Sequence, residues 1–409
     1  MQNDVAPIVL TLDTGIVHED YQQTAVCLAR LGAVRRTCNI YDDAALARTV
    51  GAVVAGEIDL IETRHIRKWQ QNWSKVKPRF EAVETAARVA QVPMVPTPAM
   101  FRWNSNKALY LEAMQCAGVP IVPTIFLRFG APFRLADVFD QYSRGIVIKP
   151  AIAARAHGLH FVKRHARAAG EYLYEIATPK EAEGDRAART EKTVVDEAGL
   201  ARFFDQYRRR FAEHSVLVQE LIADKVEYSA VMISGLKTYY VKRTEGEDTG
   251  IGHDAFGGRN IPEPAPDPAV VEMAARVRMA MPAMLRDEPI VRVDVLATRY
   301  GEPLLLEIES GGPRLFNERE VSNTVDRYAH TLFTIARFSR LKFQEQGSRA
   351  GVVNANLAPR VEVLEALFES PTAPAERDER LSATRGESNT MEEPVPQRYA
   401  EMRVSRNGD

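Results

Sequence analysis

Apolar residues in the first part of the chain fall into short runs separated by longer stretches of helical spacing. Pro7 to Leu12 (PIVLTL) is an apolar run suited to a buried strand. A helical pattern follows around Tyr21 to Leu31, and Gly32 supplies its stop. Val34 to Tyr41 and Ile58 to Thr63 predict two more strands. A long helical pattern covers Ile66 to Ala90, ahead of Val92-Pro93-Met94-Val95-Pro96. Strands and helices alternating in this way imply a parallel sheet flanked by helices.

From Trp103 the pattern changes. Asn104 and Ser105 are good caps for a helix to Ala117, which Gly118 closes. Ile125 to Phe129 predicts a strand, Arg134 to Ser143 a helix, and Gly145 to Pro150 a second apolar strand. The polar stretch from Arg164 to Lys192, rich in Arg, Ala and Glu, predicts a solvated excursion or a lid. Val216 to Glu220, Glu227 to Ile233 and Thr238 to Arg243 predict strands, with a tight turn at Gly235. A Gly-rich loop (Gly246 to Gly258) and a Pro-rich loop (Pro262 to Pro268) precede a helix from Pro268 to Met281. Ile290 to Ala297 and Pro303 to Glu309 read as a hairpin turning at Tyr300-Gly301-Glu302. The last strong element is a helix over Val325 to Phe343. Beyond about Ala358 the chain is polar and predicts a disordered tail, apart from a short helical patch at Val361 to Phe368.

Composition narrows the class. The 409 residues are 45% hydrophobic and 26% charged, with a formal net charge of -2, as in ordinary globular domains. No basic field suggests nucleic acid, and no apolar run is long enough to span a bilayer. The N-terminus has no signal-peptide pattern, so a cytoplasmic location is expected. Cys27, Cys38 and Cys116 have neither disulfide nor metal-ligand spacing and predict buried thiols.

The chemistry concentrates in the last hairpin. Arg292 and Asp294 share one face of their strand, and Glu307 and Glu309 share one face of theirs. Paired as a hairpin, the strands can set three carboxylates and a guanidinium on one surface. Hard oxygen donors of this kind suit Mg²⁺. The competing reading is a solvated charged face, against which stands the small-residue loop Ser310-Gly311-Gly312-Pro313 directly after Glu309. Lys149 ends an apolar strand and can reach a phosphate, or it can snorkel from a sheet edge. Lys107 lies in a first helical turn, where the dipole disfavours a cation unless an anion docks there; otherwise it is a surface lysine. Ala151 to Gly158 could cover phosphates with backbone N–H groups.

Taken in order, WNSNK (Trp103 to Lys107), AGVPIVPT (Ala117 to Thr124), GIVIKP (Gly145 to Pro150), VLVQELI (Val216 to Ile222), VEYS (Val226 to Ser229), RVDVL and LLLEIESGGPRLF resemble the ATP-grasp superfamily. They are most similar to its D-cycloserine-synthetase-like group, which also has a tryptophan-containing helical segment before an RWN-x-K helix start. The resemblance covers about residue 8 to about residue 340.

The resemblance implies an α/β class, more fully an α+β ATP-grasp fold. An N-terminal parallel α/β domain (1–102) would be followed by a central subdomain (103–214, with the polar insertion near 164–192). A C-terminal subdomain with the metal site (215–343) and a tail (344–409) would complete the chain. It further implies that Lys107 and Lys149 hold ATP phosphates. Glu220 and Ile222 would meet adenine through their backbones, and Glu227 the ribose. Asp294, Glu307 and Glu309 would hold Mg²⁺, or Mn²⁺ in its place, and Arg292 would stabilise the transferring phosphoryl group. The expected activity is ADP-forming ligation of a small amino-acid-like carboxylate to an amine through an acyl phosphate, by a monomer or homodimer. A phosphotransferase and a nucleotide-binding regulator are the alternatives. Two departures stand out. Ile251 replaces an arginine of the group, and Gly311-Gly312 followed by Arg314 replaces an acidic residue. Arg314 could pair with a substrate carboxylate, and His253 could contact substrate or act as a base.

Overall fold

The computed structural model describes residues 5–15, 19–66, 73–128, 130–153, 157–166, 169–178, 189–211, 215–233, 238–245, 258–298, 301–313, 315–316 and 323–345. These fall within one unit, Met1–Leu364. The turn at Gly235, most of the loop from Gly246, His253, Arg314 and the tail lie outside the described residues.

The N-terminal region runs β1 (Ile8–Asp13), α1 (Glu19–Arg30), β2 (Val34–Asn39), α2 (Asp43–Val54), β3 (Leu60–His65), α3 (Trp73–Val89) and β4 (Met94–Val95). The strands form the expected parallel sheet in the order β2-β1-β3-β4. Helices α2 and α3 pack a core on one face, with Leu46, Val50, Phe80 and Val83 buried among the strand residues. Helix α2 fills the gap between two predicted strands, where no element is expected. Its signals are nonetheless local, an Asp42 side chain that accepts from Ala45 N and an apolar stripe of Leu46, Val50 and Val53. Helix α3 is described from Trp73 and residues 67–72 lie outside the described residues, while Ile66, expected at the helix start, follows directly on β3 as a buried residue.

The helix expected from Asn104 to Ala117 is α5 (Lys107–Cys116), and an unexpected helix, α4 (Pro98–Ser105), precedes it and contains both Asn104 and Ser105. Thr97 caps α4 and Asn106 caps α5, its side chain accepting from Ala108 N and Leu109 N. The expected domain limit after residue 102 falls inside α4. Phe101 of that helix belongs to the N-terminal core and Met100 to the next one. Cys27 and Cys38 are buried, whereas Cys116 at the end of α5 is exposed, contrary to expectation.

A six-stranded antiparallel sheet follows. It contains β5 (Thr124–Leu127), β6 (Ile146–Pro150), β7 (His160–Arg164), β8 (Glu171–Thr178), β9 (Arg189–Asp196) and β10 (Val216–Glu220), in the order β5-β10-β6-β7-β8-β9. The short helix α6 (Val138–Gln141) and the longer α7 (Glu197–Arg210) cover it. Strands β8 and β9 correct the reading of residues 164–192 as an excursion. Tyr172, Tyr174 and Ile176 alternate along β8 and pack with Leu200, Phe204 and Tyr207 of α7.

The third layer is a five-stranded antiparallel sheet, order β13-β12-β11-β14-β15, from β11 (Lys225–Ile233), β12 (Tyr239–Thr244), β13 (Arg259–Pro262), β14 (Ile290–Thr298) and β15 (Leu304–Glu309). Strand β13 lies between the two predicted loops and takes only Pro262 from the second. Helix α8 (Pro268–Ala280) packs on this sheet with α5, and α9 (Thr324–Glu345) packs with α1, β1 and β3. Pro120 to Pro123 joins the two antiparallel sheets. Leu305 of β15 donates to Pro120 O and accepts from Val122 N, while Glu220 N of β10 donates to Pro123 O. No helix among the described residues is long and apolar enough to cross a membrane.

Candidate active site

Strands β14 and β15 set Arg292 opposite Glu309 and Asp294 opposite Glu307. Directly paired residues share a face, so the four charged groups stand on one surface. Strand β11 adds Ser229 opposite Asp294, and β12 sets Arg243 opposite Glu227. A solvated strand face is excluded, since Asp294 is 1% and Arg292 7% exposed.

Buried charges persist only when paired, and the pairs here are specific. Arg292 donates Nε and Nη2 to the two oxygens of Asp294, each at 2.9 Å, and also meets Glu309. Ser229 Oγ donates to Asp294 Oδ1 at 2.7 Å, and Arg243 Nη2 lies 3.4 Å from Asp294 Oδ2. Burial pushes the Asp294 carboxyl up, but Arg243 and Arg292 outweigh it and hold the group below the usual carboxylate range. Burial likewise lowers Arg292, and Asp294 and Glu309 more than reverse this, so it stays charged. Glu227 bonds to Arg243, yet burial wins there and raises its pKa.

The lysines arrive from other elements. Lys107 opens α5, and its Nζ lies 3.0 Å from Glu307 Oε1 and donates to Ala153 O at 2.6 Å. The first backbone N–H groups of this helix already have partners, so an anion here would meet the Lys107 side chain rather than the helix start. Lys107 N donates to Ala151 O, and the next two N–H groups go to Asn106 Oδ1. Lys149, near the end of β6, has a pKa lowered to about 8. Burial is the main cause, Glu307 opposes it and Lys107 adds to it. Glu307 is pushed up by burial but held low by Lys107 and Lys149. At the end of β10, Glu220 N and Leu221 N are committed to Pro123 O and Gly145 O, which places Ile222 just past the ladder.

Lys107, Lys149, Glu227, Arg292, Asp294, Glu307 and Glu309 therefore share one electrostatic neighbourhood, drawn from four strands and a helix. Among the described residues, no group of three His, Cys, Asp or Glu side chains gathers closely enough to hold a metal ion by itself. Asp294 is committed to two guanidiniums and a hydroxyl. Mg²⁺ commonly takes one or two carboxylates and fills its octahedron with phosphate oxygens and water. Glu307 and Glu309, hard donors two residues apart on β15, fit that demand.

Two site residues escaped the sequence reading. Arg243 stands in the predicted strand Thr238 to Arg243, but only cross-strand register sets it on Glu227 and Asp294. Asn104, read as a cap, instead bonds to the end of β15.

The fold is the ATP-grasp fold. Among solved structures, the chain is similar to D-cycloserine synthetase DcsG, with TM-score 0.57 and 18% identity over 80% of this chain and 99% of that one. It is also similar to the macrocyclase MdnB from Microcystis aeruginosa MRC, with TM-score 0.52 and 14% identity over 80% and 99%. A third similar structure is D-alanine–D-alanine ligase from Bacillus anthracis complexed with ATP, with TM-score 0.51 and 14% identity over 84% and 100%. No protein-family model matches the chain, and no curated protein matches it in sequence.

Proposed function

We propose that this chain is an ATP-dependent ligase that joins a small amino-acid-like carboxylate to an amine, with ADP and phosphate as products. The observation that carries this reading is the convergence of Lys107 and Lys149 on Glu307, with the Arg292–Glu309 pair two residues along the same strand. Two cations and a guanidinium beside carboxylates form a cradle for a polyphosphate and its counter-ion. The shared fold with the D-cycloserine synthetase and with an ATP-bound ligase supports the same reading.

Lys107 and Lys149 hold the phosphates. Glu220 and Ile222 offer backbone groups to adenine, and Glu227, aligned by Arg243, takes the ribose. Glu307 and Glu309 would hold Mg²⁺ or Mn²⁺, which when bound would neutralise charge on the phosphates. Asp294, expected as a third metal ligand, serves chiefly to fix Arg292. The substrate carboxylate attacks the γ-phosphorus, the bond to ADP breaks, and an acyl phosphate forms. Arg292 keeps its charge and stabilises the phosphoryl oxygens in flight. The amine then attacks the acyl carbon and phosphate leaves, while the amine proton passes to solvent or a base. Catalysis rests on positioning and charge.

The test is ADP release from Mg·ATP with pooled carboxylates, with and without hydroxylamine. Carboxylate-dependent ADP together with a hydroxamate supports acyl-phosphate ligation. A stable phosphorylated product with no hydroxamate would replace this reading with phosphotransfer.

A further inference from the structure

Glu309 is the last residue of β15, where ladder hydrogen bonds run out and a strand end would fray. A single side chain holds the backbone on both sides of it. Asn104 Nδ2 donates to Ile308 O at 2.7 Å, and Asn104 Oδ1 accepts from Ser310 N at 2.8 Å and from Gly311 N at 3.1 Å. The amide can sit only this way round, because the reverse would set its NH₂ against two N–H donors and its oxygen against a carbonyl.

The helix that carries Asn104 is itself fastened to the same hairpin. At the other end of α4, Thr97 N donates to both oxygens of Glu288, at 3.2 Å each, and Glu288 stands just before β14. Phe101 in the middle of α4 stacks on Phe80, ring centroids 4.7 Å apart. Ser310 Oγ also donates to Ile290 O at 2.7 Å, and beyond Gly311 Arg64 Nη1 donates to Pro313 O at 3.3 Å. Helix α4 is thus a splint between the start of one site strand and the end of the other. Three residues on, Lys107 reaches Glu307, so the WNSNK segment both grips β15 and supplies a cation to it.

We propose that Asn104 is a positioning residue for the phosphate and metal site. It fixes the backbone that carries Glu309, and so fixes that carboxylate against Arg292 and the cation. The inference rests on the assignment of Glu309 to the metal made above.

Mn²⁺ binding to the full chain, followed by electron paramagnetic resonance with and without a non-hydrolysable ATP analogue, tests it without turnover. Asn104→Ala is expected to weaken nucleotide-dependent Mn²⁺ binding about tenfold or more, the usual cost of losing a group that orients a metal carboxylate. Amide exchange at Ser310 and Gly311 should quicken in the same variant. Arg102→Ala, on the same helix as Asn104, removes an exposed pair with Glu84 of α3 and is expected to leave Mn²⁺ binding unchanged. Should Asn104→Ala fail to fold, Asn104→Ser, too short to bridge both sides of Glu309, carries the same expectation. A variant with a lowered melting temperature but wild-type Mn²⁺ affinity would show a merely structural asparagine and overturn the proposal alone. Absence of nucleotide-dependent Mn²⁺ binding in the wild-type chain would overturn the functional reading and this one together.

Discussion

Arg292 grips Asp294, two residues further along the same strand, through Nε and Nη2 at 2.9 Å each. Two parallel bonds fix the guanidinium plane and leave it in contact with Glu309. Asp294 is therefore a stability residue as well as a site residue. Asp294→Ala leaves two buried guanidiniums short of one carboxylate, and should cost about 3–5 kcal/mol in urea unfolding without nucleotide. Ser229→Ala, which removes one neutral donor to the Asp294 carboxylate, should cost less, about 1.5–3 kcal/mol. Equal losses from the two variants would contradict this ordering.

Lys149 gives the site a pH dependence. Its amine titrates at about 8 in the folded chain, against about 10.4 when unfolded. As pH rises through about 8 the free site loses a positive charge, so ATP-analogue affinity should fall between pH 7 and 9. Lys149→Arg, which stays charged, should flatten that fall. Stability should move the other way. Between the two pKa values the unfolded chain binds more protons, so stability rises with pH over that window. Lys149→Met should remove the rise and melt higher than wild type at pH 7, and a lower melting temperature would show that the amine is not destabilised by burial.

Glu307 is placed where both lysines and the hairpin meet. Glu307→Gln keeps the shape and removes the charge that pairs with Lys107. Turnover of Mg·ATP is expected to drop about a hundredfold or more, the scale of a lost electrostatic contact at a reacting centre. Near-normal ADP production in a steady-state assay would sink the assignment.

Gly158 closes the segment that begins after Lys149 and supplies Ala153 O to Lys107. Its φ is +74°, and a Cβ there would stand 2.7 Å from Cζ of Phe211. Gly158→Ala should destabilise the chain by about 1–3 kcal/mol and weaken nucleotide binding. Adding Phe211→Leu should relieve the clash with that ring but neither the 3.1 Å approach to Pro150 Cδ nor the backbone strain, so a double-mutant melting cycle should show partial recovery only. Full recovery would mean that φ is not the constraint.

Much of the frame is legible in local pattern. Period-two alternation places Arg292 with Asp294 and Glu307 with Glu309, and the strand–helix alternation before residue 100 announces a parallel sheet. Some misses were also local. The Leu200, Phe204 and Tyr207 stripe of α7 and the alternating Tyr172, Tyr174 and Ile176 of β8 are local patterns, masked in the sequence by an Arg- and Glu-rich composition.

Residue order along the chain settled which side chains share a face, because helix and strand periods are properties of the local backbone. It could not settle who meets whom across the fold. Asn104 bonds to residues more than 200 positions away, Arg243 reaches Asp294 only through two strand registers, and Lys107 meets Glu307 from a different layer. Register and layer packing decide those contacts, since they depend on which whole faces are buried against each other.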